Sequence, residues 1–393
     1  MNARAVTMLA LTMLALTMLA LTMLALTMLA LTLSPGRKGE NVCVRLSKRS
    51  MAVIPTMTDL LNAFVLFANF VLIPALSYGS QLALGALGVT LVYGVLRFSN
   101  FAHGDTMAFG AMATILATWW LQSRGISIAP LPTALLGLPF GIAAAAVLCV
   151  VVDKTVYRYY RLNKSPPVVF VIASVGVMFM INGIVRFIIG PNDQQFADGE
   201  RFIIRARDFK QMSGLSEGLS IKVSQGLTIV IAILLVIALF WFLQKTRTGK
   251  AMRAFSDNED LALLSGINPE RVVMVTWLLT AALATIAGTL YGLDKSFKPF
   301  TYFQLLLPIF AAAIVGGLGR PVGAIVGGFV IAFSEVMITY AYKKFLIYLL
   351  PEQWQPQGLM QLLSTDYKFA VSFIILVVVL LVRPTGIFGG RTG

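Results

Sequence analysis

Long apolar runs alternate with short polar connections along most of this 393-residue chain. The runs lack the strict alternation of apolar and polar positions that marks a barrel strand, and most approach the roughly 20 residues that a helix needs to cross a bilayer. A helix also satisfies its own backbone hydrogen bonds within lipid. The pattern therefore predicts an all-α protein, a polytopic bundle of about eight to ten transmembrane helices, some of them interrupted. The ten candidate spans are 60–77, 79–96, 102–121, 133–152, 168–189, 226–243, 272–293, 305–318, 322–340 and 369–382.

Composition agrees with a membrane protein. The chain is 58% hydrophobic and only 12% charged, whereas soluble domains carry about 25% charged residues. The net charge of +14 could indicate nucleic-acid binding, but the cations form short clusters between apolar runs, as basic cytoplasmic connections do. We therefore expect membrane lipid around the chain and no nucleic acid. Cys43 and Cys149 have no CxxC or Cys/His spacing, so neither a disulfide framework nor a metal site is predicted.

The basic connections predict an orientation. With ten spans, the Lys- and Arg-rich connections at 37–49, 154–164 and 245–271 fall on one side, which the positive-inside rule makes cytoplasmic. The connection at 190–225 is an exception on the predicted outer side. Its cations are Arg201, Arg205, Arg207, Lys210 and Lys222.

The first 50 residues contain five copies of TMLAL, at 7–31. A five-residue repeat rotates by about 140° per copy on a helix, so its threonines form no functional face. The repeat is long enough to be an extra membrane anchor or a signal sequence. The alternative, which we favour, is an expanded coding repeat upstream of a true start at Met51. Residues 1–50 are therefore assigned to an N-terminal extension without a transport role, and residues 51–393 to the membrane domain.

A polar stretch, Gln244–Arg271, lies between two apolar runs of membrane length. Ser256 and Glu259 have the spacing of a capping box, which predicts that a helix begins there, with Asp257 at the positive end of its dipole. Gly266 supplies a left-handed stop. The helix has a small apolar face made of Leu261, Leu264 and either Ala262 or Leu263. Such a face suits a groove on a partner protein, and an ordinary solvated loop is the alternative.

Two segments, Leu96–Ala111 and Ala313–Phe329, interrupt helical continuity in the two halves of the chain. Interrupted helices at corresponding positions point to a transport site, because irregular backbone is tolerated in a membrane only where protein or a water-filled cavity surrounds it. The candidate path residues are Asn100, His103, Gly104, Asp105, Gly316, Gly317 and Gly319.

These path residues also have structural alternatives. Asn100 and Asp105 are good helix caps, and Gly104 permits an unusual backbone angle. His103 could bind solute or titrate, although a hydrogen-bonding role in the turn is the simpler interpretation. Glycines at four-residue spacing in the second segment also serve plain helix packing.

Catalytic motifs are missing from the sequence. It has no GxxxxGK[ST], HExxH or GxSxG motif, and it contains one histidine. An enzyme is therefore not expected. Glu335, inside the span 322–340, is the one candidate proton or cation site, or an interfacial side chain. It leaves an ion-coupled carrier open as an alternative, alongside a structural membrane protein that moves no solute.

Three separated motifs occur in order between residues 75 and 390. They are VTLVYGVLRFSNFAHGDTMAFGA at 89–111, GKAMRAFSDNEDLALLSGINPERV at 249–272 and LLLPIFAAAIVGGLGRPVGAIVGG at 305–328. Together they resemble the permease subunits of branched-chain amino acid ABC importers, the LivH and LivM type. The resemblance implies a multi-pass permease of the bacterial inner membrane that needs no cofactor. It would pair with a second permease, two cytoplasmic ATP-binding subunits that hydrolyse ATP, and a periplasmic solute-binding protein.

The implied solutes are leucine, isoleucine and valine, with other amino acids, urea or short amides as alternatives. The residues that match the family's coupling segment are Gly249, Arg253, Ala254, Asp257, Ala262, Gly266 and Ile267, and Glu259 joins them through the capping box. Residues 100–104 match its NFAHG turn, and Asp105 stands where Glu is common. Gly316, Gly317, Gly319 and Gly323 match its glycine-rich span. The chain departs from the family in residues 1–50, in an added apolar segment at 60–77 and in the polar loop 190–225.

Overall fold

Helices carry almost all of the fold in the computed structural model. It describes residues 57–128, 130–196, 199, 201–349, 361–364, 367–383 and 385–388. In this part of the chain, seven helices are long and apolar enough to cross a membrane, so the prediction of an all-α polytopic bundle is confirmed. Residues 1–50, with the choice between Met1 and Met51, lie outside the described residues.

The described residues form fifteen α-helices and one two-stranded antiparallel hairpin. The elements are α1 Met57–Phe67, α2 Ile73–Leu96, α3 His103–Ser123, α4 Ala134–Val152, α5 Arg158–Leu162, α6 Pro167–Ile189, β1 Phe202–Ile204, α7 Ala206–Ser213, β2 Ile221–Lys222, α8 Val223–Lys245, α9 Arg247–Asp257, α10 Glu259–Leu264, α11 Pro269–Lys295, α12 Pro299–Gly316, α13 Pro321–Thr339, α14 Lys343–Leu349 and α15 Lys368–Val382. Turns of π-helix at Ala68–Leu72 and Asp153–Tyr157 join α1 to α2 and α4 to α5.

One continuous helix, Met57–Leu96, replaces the first two predicted spans. Tyr78, the one residue left between these two spans, is helical and buried. Pro74 follows directly on the π-helical turn, in which the Ile73 amide donates to the Ala68 carbonyl. Because proline has no N–H to donate, the wider turn accommodates it without breaking the helix.

This merger reverses the side on which the first helix begins. The Asn62 amide oxygen accepts from the Glu217 backbone N–H at 3.2 Å, so the start of α1 lies beside the connection between α6 and α8. At the other end, the Arg97 guanidinium donates to the Ser256 carbonyl, within Gln244–Arg271. The prediction that the first span begins on the side of Gln244–Arg271 is therefore wrong for the described residues. We call the side of Gln244–Arg271 the inner face and the side of residues 190–222 the outer face.

Helix α2 is the centre of the bundle, and glycines bring its neighbours close together. An added Cβ at Gly328 of α13 would lie 2.7 Å from the Ala83 nitrogen of α2. Helices α12 and α13 meet at Gly316 and Gly323, where a Cβ on either residue would lie within 2.2 Å of the other's carbonyl oxygen. The four-residue spacing of glycines in α13 therefore serves close helix packing, as the simpler interpretation of the sequence proposed.

The glycine contact can be tested by thermal unfolding in detergent. We expect Gly323→Ala to lower the melting temperature by a few degrees, because its methyl group overlaps the Gly316 carbonyl and overpacking costs about 1–3 kcal/mol. Gly183→Ala in α6 is the matched control, since no heavy atom lies within 4 Å of its added Cβ. Equal melting temperatures for the two variants would contradict this packing.

Candidate functional site

The polar stretch folds as two short helices, α9 and α10, rather than one. Asn258 caps α10: its side-chain oxygen accepts from the Leu261 N–H at 3.0 Å. Ser256 lies in the last turn of α9, so the predicted capping box of Ser256 and Glu259 is wrong. The reason is backbone conformation, because Asn258 has the extended geometry that an N-cap requires (φ −152°), and asparagine caps as well as serine.

The ends of the two-helix segment are fixed by specific backbone contacts. The Thr246 hydroxyl accepts from the Gly249 N–H at 3.0 Å, and a Cβ at Gly249 would lie 2.2 Å from the Phe242 carbonyl oxygen. Glycine is therefore required where α8 turns into α9. At the other end, Gly266 has a φ of +79°, which confirms the predicted left-handed stop.

The segment has a buried side and an exposed side. Of the seven expected coupling residues, Gly249 and Ala262 are buried, and the exposed five are Arg253, Ala254, Asp257, Glu259 and Gly266. Three leucines of the α10 region are unusually open: Leu261 is 60% exposed, Leu263 43% and Leu264 85%. The predicted apolar face therefore points away from the bundle, while Ala262 packs into it.

The two-helix segment contacts the inner end of α2, where the first interrupted segment begins. Besides the bond from Arg97 to the Ser256 carbonyl, an added Cβ at Gly94 would lie 3.2 Å from the Ser256 hydroxyl oxygen and 3.9 Å from the Gly319 Cα. A cavity of about 260 Å³ opens beside this contact, next to Arg253. Any displacement of α9 therefore acts directly on the end of α2. Gly319 and Pro321, beside the turn before α13, line the same cavity as α9.

The first interruption is a turn between α2 and α3 that Asn100 stabilises. Its side-chain oxygen accepts from the Ala102 N–H at 3.1 Å and from the Tyr157 hydroxyl at 3.3 Å. Ala102, rather than Asn100 or Asp105, occupies the N-cap position of α3. Arg97 ends α2 in a left-handed conformation, with φ 56°.

The other residues of this turn are packed deep in the bundle. A Cβ at Gly88 would lie 2.6 Å from the His103 ring, and a Cβ at Gly104 would lie 2.8 Å from the Tyr302 carbonyl oxygen. Gly104 is helical, so it serves a close approach rather than the unusual backbone angle expected for it. Asp105 accepts a hydrogen bond from the Asn182 side chain at 2.6 Å.

The second interruption is a glycine turn between α12 and α13. Gly317 and Gly319 have φ values of +105° and +80°, whereas Gly316 lies in the helix contact described above. Along α2, Gly319 lies beside Gly94 and His103 beside Gly88. With a rise of about 1.5 Å per residue, His103 and Gly319 are at heights about 9 Å apart along α2.

A polar cluster that the sequence did not predict surrounds Asp153, at the inner end of α4. The Arg161 guanidinium contacts both carboxylate oxygens, at 2.9 and 3.2 Å, and the Trp277 indole N–H donates at 2.8 Å. The Tyr157 ring stacks on Trp277 with centroids 5.3 Å apart, and its hydroxyl reaches Asn100. The available signal was a single acidic residue at the end of an apolar run.

Glu335 lies near the outer end of α13 and is buried, where its carboxylate accepts from the Ser372 hydroxyl of α15. Within the described ranges, no three or more His, Cys, Asp or Glu side chains come together as a possible metal site.

Comparison with known proteins identifies the family. The family model described as the permease component of the branched-chain amino acid transport system matches residues 71–380. This chain belongs to that family. It is 30% identical to the high-affinity branched-chain amino acid transport permease LivH of Escherichia coli K12, over 79% of this chain and 92% of LivH. BraD of Pseudomonas aeruginosa PAO1 is 27% identical over 81% of this chain and 94% of its own. A probable LivH of Methanocaldococcus jannaschii is 28% identical, over 80% and 90%.

Family membership confirms the predicted resemblance and a multi-pass membrane permease of the ABC importer type. The family match begins at residue 71, within the π-helical turn, so α1 precedes the matched residues.

The Asp153 cluster can be tested with a double-mutant cycle. We expect Asp153→Asn and Arg161→Gln to be coupled by about 0.5–3 kcal/mol in the free energy of unfolding, because the pair is bidentate and largely buried. The control pair is Arg158 and Glu270, which share one 3.1 Å contact and are 46% and 53% exposed. Exposed pairs contribute about 0–1 kcal/mol. Equal coupling in the two pairs would contradict a special role for the Asp153 cluster.

Proposed function

We propose that this permease is the membrane subunit of an ATP-driven importer of branched-chain amino acids in the bacterial inner membrane. The names of LivH and BraD, which are similar over most of their length, support that substrate class. The proposed partners are a second permease, two cytoplasmic ATP-binding subunits that hydrolyse ATP, and a periplasmic solute-binding protein. The proposal rests on one observation, the exposed leucine face of α10. The opposite side of the same segment packs against the transmembrane helices.

The ATP-binding subunit is proposed to cover Leu261, Leu263 and Leu264. Large apolar side chains clustered on one short helix mark an interaction surface when they are this open. An amphipathic helix that lays its apolar face into a groove is a common form of protein recognition. Arg253, Ala254 and Asp257 flank this face on α9 and are proposed to complete the contact.

Movement of the coupling segment is proposed to reach the solute path through Arg97. This residue donates to Ser256 of α9 and lies three positions before Asn100, whose side chain is fixed by Tyr157. When ATP binding closes the partner subunits, a shift of α9 would pull one end of the turn while the other end stays in place. A turn with two arrangements of this kind could connect inward-open and outward-open states.

The proposed path residues are those of the two interruptions: Asn100, His103, Gly104, Asp105, Gly316, Gly317 and Gly319. Nearly all of them are buried in this conformation, so solute passage requires the surrounding helices to separate. Polar groups along the path matter because a zwitterion without partners is strongly disfavoured in hydrocarbon.

Two rival functions from the sequence are less well supported. An ion-coupled carrier would depend on Glu335, which is already hydrogen-bonded to Ser372, and a purely structural role has no support among the transport permeases to which the chain is similar. In vesicles, an ion-coupled carrier predicts uptake by the single chain without ATP, and a structural protein predicts no solute flux. Neither rival predicts uptake that depends on partner ATPases.

The coupling assignment can be tested with a charge on the leucine face. We expect Leu264→Glu to reduce ATP-driven uptake at least about tenfold, because a carboxylate buried at the centre of an interface costs about 2 kcal/mol or more. Leu162→Glu is the matched control, since Leu162 is 69% exposed at the end of α5 on the inner face but lies outside the coupling segment. Normal uptake by Leu264→Glu would refute the docking assignment.

The substrate assignment can be tested in vesicles that contain all partner subunits. We expect labelled leucine, isoleucine and valine to accumulate with ATP, and urea and short amides not to accumulate. Vesicles without ATP are the control. Uptake of urea in preference to leucine would replace the proposed substrate class, and uptake by the single chain without ATP would favour a carrier.

A further inference from the structure

A second cavity, with a polar lining, lies on the outer face. There the connection between α6 and α8 covers the end of α11. Its volume is about 550 Å³, within the range of about 300–1,000 Å³ that is usual for small-molecule sites. It lies at the opposite end of the bundle from the coupling segment, so it faces the side from which a solute would arrive.

The cavity combines several cations with one buried carboxylate. Arg201, Lys222 and Lys295 line it together with Asp294. The Asp294 side chain is only 5% exposed, and its nearest polar contacts are the Lys222 ammonium at 3.8 Å and the Ser224 hydroxyl at 3.4 Å. Both distances are long for a nearly buried carboxylate, whose charge-assisted hydrogen bonds are usually about 2.7–2.9 Å. Asp294 can therefore take a closer cationic partner.

The backbone that carries Asp294 is strained. Ser296, which also lines the cavity, has φ 93° and ψ 156°, a region otherwise occupied essentially by glycine. Strained residues of this kind persist where surrounding contacts impose them, and they cluster at ligand sites. Here the contacts are two 2.8 Å hydrogen bonds between Gln194 and the buried Phe297. They fix the turn that presents Asp294 and Lys295 to the cavity.

Part of the cavity lining is apolar. Phe196 and Gly292 both line it, and a Cβ at Gly292 would lie 2.9 Å from the Phe196 ring. Leu293 and Val223 extend this surface. The cavity therefore offers cations, one anion and a small apolar surface within a single space.

We propose that this cavity is an external binding site for a small zwitterionic α-amino acid with an aliphatic side chain. Arg201 and Lys295 bind its carboxylate, Asp294 binds its ammonium group, and the side chain packs near Phe196 and Gly292. A docking surface for acidic side chains of the solute-binding protein is the other possible use of these cations. The buried carboxylate of Asp294 argues against it, because it would repel an incoming acid and has no role in such a contact. The inference rests on the proposed import of amino acids.

The experiment uses the complete permease and ATPase assembly in nanodiscs, without the binding protein. Binding of leucine is measured by saturation-transfer NMR, beside the leucine analogue that lacks only the α-amino group. We expect Asp294→Asn to weaken leucine binding about tenfold, as for the loss of one charge-assisted bond, and to leave binding of the analogue unchanged. Asp193→Asn is the matched control, because Asp193 lies on the same face in an exposed pair with Lys298.

Three outcomes would overturn the inference. They are unchanged leucine binding in Asp294→Asn, equal loss of leucine and its analogue, and a weaker complex with the binding protein while leucine binding stays normal. The last outcome would identify a protein-docking surface instead.

Uptake assays with the full transporter separate this inference from the proposed function. If the wild-type protein imports leucine and Asp294→Asn imports it equally well, only the cavity assignment fails, whereas failure of the wild-type protein to import leucine would refute the proposed function itself.

Discussion

Close approach of helix backbones is the constraint on which the rest of this structure depends. Lipid supplies no hydrophobic force between helices, so a transmembrane bundle is held together by packing and by interhelical hydrogen bonds. Gly316 and Gly323 bring α12 against α13, and Gly328 brings α13 against α2. These contacts enclose α2. The positions of both interruptions and of the two-helix segment are therefore set by this one buried helix. A shift of α9 therefore acts on a rigid framework.

Hydrogen bonds make some parts of the inner face more rigid than others. Asp153, Arg161 and Trp277 form a satisfied polar cluster that fixes Tyr157 and, through it, Asn100. Arg97 is joined to the coupling segment by a bond to a backbone carbonyl at the exposed surface. One end of the turn is thus tied to the transmembrane helices and the other to the segment proposed to contact the ATPase. This asymmetry gives a physical basis for converting movement at the surface into movement within the bundle.

Hydrophobic patterning predicted the fold class and most helices, because membrane length and continuous apolarity leave few alternatives. It failed at Tyr78, the one residue left between the first two predicted spans, because tertiary packing buries this side chain inside one helix. It failed again at Ser256, since Asn258, two residues later, is an equally good cap and only backbone geometry distinguishes them. Gly249 and Gly266 were predicted to belong to the coupling segment, and they lie at the two ends of the two-helix segment. Glycine has a different role at each position, a close contact at Gly249 and a positive φ at Gly266. Only the three-dimensional structure shows these roles.

The polar connection at 190–222 shows most clearly what a count of charges along the sequence cannot predict. Its cations contradicted the simplest form of the positive-inside rule, and the same connection also carries five acidic residues. In the folded chain, Lys222 faces Asp294, a residue 72 positions away at the end of α11, and Arg201 lines the same cavity. Neither association has a periodicity or spacing that could reveal it. The hairpin of β1 and β2 brings Arg201 beside Lys222, and the folded chain places both at the end of α11. Arg205, Arg207 and Lys210 do not line this cavity. The positive charge of Arg201 and Lys222 is therefore explained by the buried carboxylate of Asp294, which a charge count along the sequence could not identify.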